Sequence, residues 1–179
     1  AEGGAGRISI VSGRSGDWSS PLSGEELINS RTSFLGQGSS HSGAYLASAG
    51  DVNGDGLDDL LIGQPEDGNI TLVFGQTTAL GKDLPLTGDT SNQWILLKSD
   101  IGDIGTKFAP AGDVNGDGYD DLLIGVKDKI YLLLGSADPW FGIVLVEKLA
   151  AAVINVDPAM NNFAGVGDVN GDGYDDFAV

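Results

Sequence analysis

The string "DVNGDGLDDLLIG" starts at Asp51, and nearly the same string returns as "DVNGDGYDDLLIG" from Asp113 and as "DVNGDGYDDFAV" from Asp168. Each copy sets four aspartates within nine residues and then runs into a stretch with almost no polarity. One copy could be chance, but three mean a repeated structural unit with a repeated chemical task. The copies stand 62 and 55 residues apart, a period that suits propellers or solenoids.

The likeness extends past the acidic strings. "GNITLVFGQ" (68–76) and "DKIYLLLGS" (128–136) come after the first two copies as apolar, β-branched runs closed by glycine, and read as strands. Upstream of each string a short segment ends in glycine: "GAYLASAGD", "KFAPAGD" and "NFAGVGD". "QWILLKSD" (93–100) and "AAVINVD" (151–157) supply a later strand. One repeat is thus strand, acidic loop, strand, turn, strand, longer loop, strand, and four antiparallel strands per repeat describe a propeller blade. The expected fold is all-β, about three blades of an incomplete propeller: a half blade over 1–35, blades over 36–100 and 101–157, and a half blade over 158–179. "GRISIVSGR" (6–14) matches the third strand of later repeats and "EELINSR" (25–31) the fourth, so the strands come in permuted order. Within 144–156, Leu, Ala, Glu and Lys also allow a short helix.

Composition agrees with a folded all-β chain: 179 residues, 41% hydrophobic, with 29 glycines that suit many tight turns. The formal charge of −17 argues against nucleic acid and anionic membrane as partners, because both demand a basic surface. Twelve of the 26 acidic residues lie inside the three strings, so the charge is concentrated where a cation would be held. The absence of cysteine removes disulfides, a thiolate nucleophile and zinc-finger chemistry.

Counted from Asp51, side-chain oxygens fall at positions one, three, five and nine: Asp51, Asn53, Asp55 and Asp59. Gly56 takes the sixth position, where the loop turns tightly, and Leu57 at the seventh can offer its backbone carbonyl. Alternating oxygens around a glycine turn are what calcium loops use, whereas magnesium demands a stricter octahedron. Without a cation, carboxylates held about 4 Å apart would repel by roughly 1–4 kcal/mol per pair. An EF-hand would need a bidentate Glu at position twelve and a flanking helix. That position is Ile62, Ile124 or Val179, and the next element is a β-strand.

The DxNxDGxxD string running into "DLLIG" resembles the calcium loop of FG-GAP repeats, the blades of integrin α-subunit β-propellers. The name motifs are kept less well. The Phe-Gly pair becomes Ser42-Gly43, Ile104-Gly105 and Ala159-Met160, and Gly-Ala-Pro becomes "GQP" (63–65) and "GVK" (125–127). The resemblance implies three calcium sites. Their ligands are Asp51, Asn53, Asp55, the Leu57 carbonyl and Asp59; then Asp113, Asn115, Asp117, the Tyr119 carbonyl and Asp121; then Asp168, Asn170, Asp172, the Tyr174 carbonyl and Asp176. Asp58, Asp120 and Asp175, at position eight, are expected to point outward.

Other candidates carry less. His41, the single histidine, reads as an exposed loop residue, no GxSxG elbow occurs, and no catalytic constellation emerges. Trp18, Trp94 and Trp140 read as packing between sheets, with sugar stacking as the other option. Asn69-Ile70-Thr71 forms a glycosylation sequon. The resemblance implies a non-enzymatic, extracellular or cell-surface module that recognises a protein ligand. Its alternatives are a calcium-stabilised lectin or the accessory propeller of a larger enzyme. Each would be completed by further blades of a longer chain or by a homo-oligomer.

Overall fold

The computed structural model describes residues 4–13, 23–24, 32–87, 93–102, 104–138, 140–157 and 162–179. Trp18, the strand expected at 25–31 and the Ala159–Met160 pair lie outside them. The fold is all-β. β3 (Leu46–Gly50), β4 (Asp59–Gln64), β5 (Asn69–Val73) and β7 (Trp94–Lys98) form one antiparallel blade. β8 (Phe108–Gly112), β9 (Asp121–Val126), β10 (Lys129–Leu133) and β12 (Ala150–Asn155) form the next. β1 (Arg7–Ile10) pairs with β2 (Thr32–Leu35) at one end, and β13 (Ala164–Gly167) with β14 (Asp176–Ala178) at the other.

The unbroken apolarity of "DLLIG" comes from how the sheets stack. Leu61, Ile70, Leu72, Ile95 and Leu97 of the first full blade meet Leu122, Ile124, Tyr131 and Leu133 of the second in one core. The alternate residues Ile62, Val73 and Trp94 turn to the opposite face and pack on Ile8 and Phe34. Leu123, Ile130 and Leu132 likewise reach Phe163 and Phe177. Each central strand is buried on both faces, so alternation of polar and apolar residues would be destabilising. Each such Leu or Ile contributes about 1.5–3 kcal/mol. Gly63 at the end of "DLLIG" serves the same stacking, because a Cβ there would stand 2.1 Å from the Gly105 carbonyl oxygen of the next blade.

Trp94 is buried with its ring edge-on to Phe34, centroids 6.0 Å apart, as its packing role requires. Trp140 is half-buried against the central core. The helical option within 144–156 is realised for a single turn, α1 (Val146–Leu149), after which β12 takes over. Pairing with β10 outweighs helix propensity there.

Two short strands add to the expected pattern. β6 (Leu84–Pro85) leaves the connection between β5 and β7 and adds parallel to β2, the outer strand of the preceding sheet. β11 (Ile143–Leu145) leaves the connection between β10 and β12 and adds parallel to β7. The first of these latches is reinforced by side chains. Ser33 Oγ donates to Asp83 Oδ1 at 2.9 Å and accepts from the Asp83 N–H at 2.9 Å, while Arg7 pairs with Asp83 at 2.5 Å.

Candidate metal centres in three stacked loops

Each acidic string connects the first and second strands of a sheet, and the same device delivers the chain into all three loops. The strand register shifts just before Gly50, Gly112 and Gly167, whose φ angles are 73°, 76° and 71°. A bulge with a left-handed glycine bends the strand end and re-aims the chain into the acidic turn.

Inside the loops, side-chain oxygens fold back on the backbone. In the first, Asp51 Oδ1 accepts from the Asp55 N–H at 3.0 Å and Asp51 Oδ2 from Gly56 at 2.8 Å. Asn53 Oδ1 accepts from Asp55 at 2.9 Å, and Asp55 Oδ1 from Leu57 at 2.9 Å. The second loop repeats the pattern with Asp113 accepting from Asp117 and Gly118, Asn115 from Asp117, and Asp117 from Tyr119. The third repeats it with Asp168, Asn170, Asp172, Gly173 and Tyr174. Positions one, three and five therefore converge on one tight turn, locally determined and three times the same.

The ninth residue is placed differently. Asp59 is 3% exposed; its two oxygens accept from Val52 at 3.1 Å and Gly75 at 2.7 Å. Asp121 is fully buried and accepts from Val114 and Gly135. Asp176 accepts from Val169 at 3.0 Å in a more open setting. Burial pushes the Asp59 carboxyl up to about 6, against the lowering effect of the Gly75 and Val52 N–H groups and with a smaller push from the charges of Asp55 and Asp51. Asp121 is raised to about 6 in the same way. Asp168, in the outermost loop, is held below the usual carboxylate range by the Gly173 N–H and its neighbours.

Among the described residues no three acidic or imidazole side chains already stand together as a metal-ligating group. The donor chemistry nevertheless fits a hard cation. Every side chain converging on each turn is an oxygen donor, and apart from Asp113 Oδ1 and Asp168 Oδ1, which each accept two backbone N–H groups, the backbone bonds leave each carboxylate oxygen a further lone pair. The charges of positions one and five add to the rise of the ninth carboxyl, so negative charge accumulates at the turns and favours an incoming cation. The Asn53 amide donating to Asp55 Oδ2 at 3.2 Å is the contact an entering cation would displace.

Of the residues at position eight, Asp58 is exposed as expected and the other two depart from expectation. Asp120 and Asp175 do not point outward: each reaches the preceding loop, where its Oδ2 accepts the N–H of Asp51 (2.7 Å) or Asp113 (3.0 Å). Steric need explains it, since the bulge glycines Gly50 and Gly112 leave room for these carboxylates and a Cβ would collide with them. The signal available in the sequence was the doubled aspartate at positions eight and nine of every copy.

The family model described as FG-GAP repeat matches residues 43–82 and 105–133, spans that carry the first two loops and their strands. The chain is 28% identical to integrin alpha-PS2 of Drosophila melanogaster over 149 residues, covering 75% of this chain and 10% of that protein. It is 30% identical to human integrin alpha-8 over 124 residues (59% of this chain, 11% of that protein), and 35% identical to Xenopus laevis integrin alpha-5 over 110 residues (58% and 10%). These matches support an integrin-like FG-GAP family for the chain. The chain spans about a tenth of the length of the curated relatives it matches. Among the described residues no helix is long and apolar enough to cross a membrane.

The remaining candidates settle into structural roles. His41 is exposed, 3.7 Å from Glu66. Asn69 of the sequon is 8% exposed within β5, and Thr71 is buried with its hydroxyl donating to Gln64 Oε1 at 2.7 Å.

Proposed function

We propose that this chain is a calcium-stabilised, non-enzymatic recognition segment of a β-propeller that acts at the cell surface or outside the cell. The observation that carries the reading is the threefold repetition of one oxygen-lined turn on successive blades. The ligands assigned are positions one, three, five, seven (carbonyl) and nine of each loop, from Asp51 to Asp59, from Asp113 to Asp121 and from Asp168 to Asp176. That makes three calcium ions, one for each loop. Bound calcium would offset the mutual repulsion of these carboxylates and hold the connections between strands rigid, leaving other loops to recognise a protein ligand. The integrin relatives support that setting.

In this reading, half blades over 1–35 and 158–179 flank blades over 36–100 and 101–157. The free edge of β14 and the exposed Val166, Val169 and Val179 are suited to contact with further blades or with a second copy. A lectin role loses one of its three candidate stacking platforms with the burial of Trp94.

Titration calorimetry with calcium, then magnesium, tests the reading. Three calcium ions per chain are expected, with magnesium a poor substitute. At free calcium about 100-fold above Kd, each site adds about 2.7 kcal/mol of stability. No heat with calcium, or a melting temperature indifferent to chelator, would overturn it.

A further inference from the structure

We propose that Asp120 and Asp175 are positioning residues that couple neighbouring loops, so that a cation held in one raises the affinity of the next. The inference rests on the calcium reading, but its geometry is independent of it. The clasp is two-sided: Asp120 Oδ2 accepts the Asp51 N–H at 2.7 Å, and the Asp120 N–H donates to the Asp51 carbonyl at 3.1 Å. Asp175 takes hold of Asp113 in the same manner, at 3.0 Å in both directions.

The residue clasped is the one on which its loop is built. Asp51 accepts the N–H groups of Asp55 and Gly56, and Asp113 those of Gly116, Asp117 and Gly118. Fixing the backbone of the first residue fixes where its carboxylate points. The residue doing the clasping lies between the seventh and ninth positions of its own loop, both assigned to the metal, so the closure of one loop orients the strut that reaches the loop before it. Tyr119 adds a lid: its ring lies where a Cβ on Gly54 would come within 2.3 Å, and Tyr174 covers Gly116 in the same way. Ordering one loop lowers the cost of ordering its neighbour, which is positive coupling without a second conformation.

The first loop contains its own control. Asp58 occupies the same eighth position, yet among the described residues it clasps no loop; it lines an open cleft of about 280 Å³ with Ile10, Thr32, Leu60 and Val73. Asp58→Ala should therefore behave as wild type.

The test is a calcium titration of the whole chain, monitored by calorimetry, for wild type, D58A, D120A, D120N and D175A. In parallel, hydrogen exchange of the Asp51 and Asp113 amides is measured in chelator. Wild type is expected to bind three ions with a Hill coefficient above 1. D120A should still bind three, but with the Hill coefficient falling toward 1 and first-loop affinity dropping roughly fivefold or more. D120N keeps an acceptor oxygen and should restore much of the coupling, while D175A should do to the second and third loops what D120A does to the first and second. Without calcium, D120A should speed exchange at Asp51 alone and D175A at Asp113 alone. Circular dichroism identifies any variant that fails to fold; D175A, nearer the open end, then bears the test. A wild type that takes up no calcium overturns the calcium reading and the coupling with it. A wild type that binds three ions while D120A and D175A match it in cooperativity and exchange overturns the coupling alone.

Discussion

The second and third acidic loops differ by nothing over nine residues, and their backbone N–H groups find the same side-chain acceptors, yet they occupy different environments. In the second, Asp121 is fully buried, its Tyr119 lies against the preceding loop, and another loop folds onto it from the far side through Asp175. In the third, Val169 is 70% exposed and Tyr174 half-exposed. The turn geometry is thus a property of nine residues, whereas burial of the ninth carboxylate is a property of the neighbouring repeat. A hard-oxygen turn can be written locally, but its dielectric surroundings come from the stack.

The comparison breaks most visibly at the ninth position. In chelator, Asp121→Ala leaves the Val114 and Gly135 N–H groups without acceptors in a buried place and is expected to cost about 3 kcal/mol. Asp176→Ala frees a single N–H that water can reach, for under about 1 kcal/mol. Urea melts of both variants measure the gap, and equal losses would mean that the stack contributes nothing.

The next difference is carried by valine at position two. Val52 is 2% exposed and Val169 faces solvent, so Val52→Ala should cost about 2 kcal/mol and Val169→Ala no more than about 0.5 kcal/mol. Thermal melting of the two variants decides it.

A gentler test uses pH. Asp59 and Asp121 have folded-state values of about 6 against an ordinary 3.8, so between those values the folded chain binds more protons than the unfolded one. Their contribution to stability is fully present below about 3.8 and is lost as pH rises through about 6. In chelator the urea midpoint should decline from pH 4 to pH 7 on account of these groups. On the proposed calcium reading the ionised form holds the cation, so affinity for calcium should strengthen over the same window. A midpoint that climbs steadily from pH 4 to pH 7 in chelator would contradict the placement of both carboxyls.

Much of this was legible in the residues themselves. "DLLIG" and the runs at 68–76 and 128–136 carry enough apolar, branched character to announce β4, β5, β9 and β10, and the acid spacing announces the turns. Leu84–Pro85 and Ile143–Leu145 announce nothing, because two or three residues have no periodicity and their partners lie in the preceding sheet. The clasp by Asp120 was hidden for a similar reason. Position eight is polar and adjoins a loop, which reads as outward until the neighbouring blade is in place. The segment 144–156 shows the opposite failure: its composition permits helix, and only the waiting edge of β10 decides for strand beyond Leu149.

The two latch strands also bear on the order in which such a chain is assembled. β6 is synthesised before β7 and β11 before β12, so each blade can be fastened to its predecessor before its own outermost strand exists. The pairings Phe34 with Leu84 and Leu97 with Val144 close spans of 50 and 47 residues, a nearly constant and modest entropic cost for every blade added. Growth from the amino-terminal end then lets the sheets ending in β2 and β7 be covered before the following blade is finished. Leu84–Pro85 covers the outer edge of β2 and Ile143–Leu145 that of β7, so in both cases a segment of the following repeat closes the edge that the preceding one leaves.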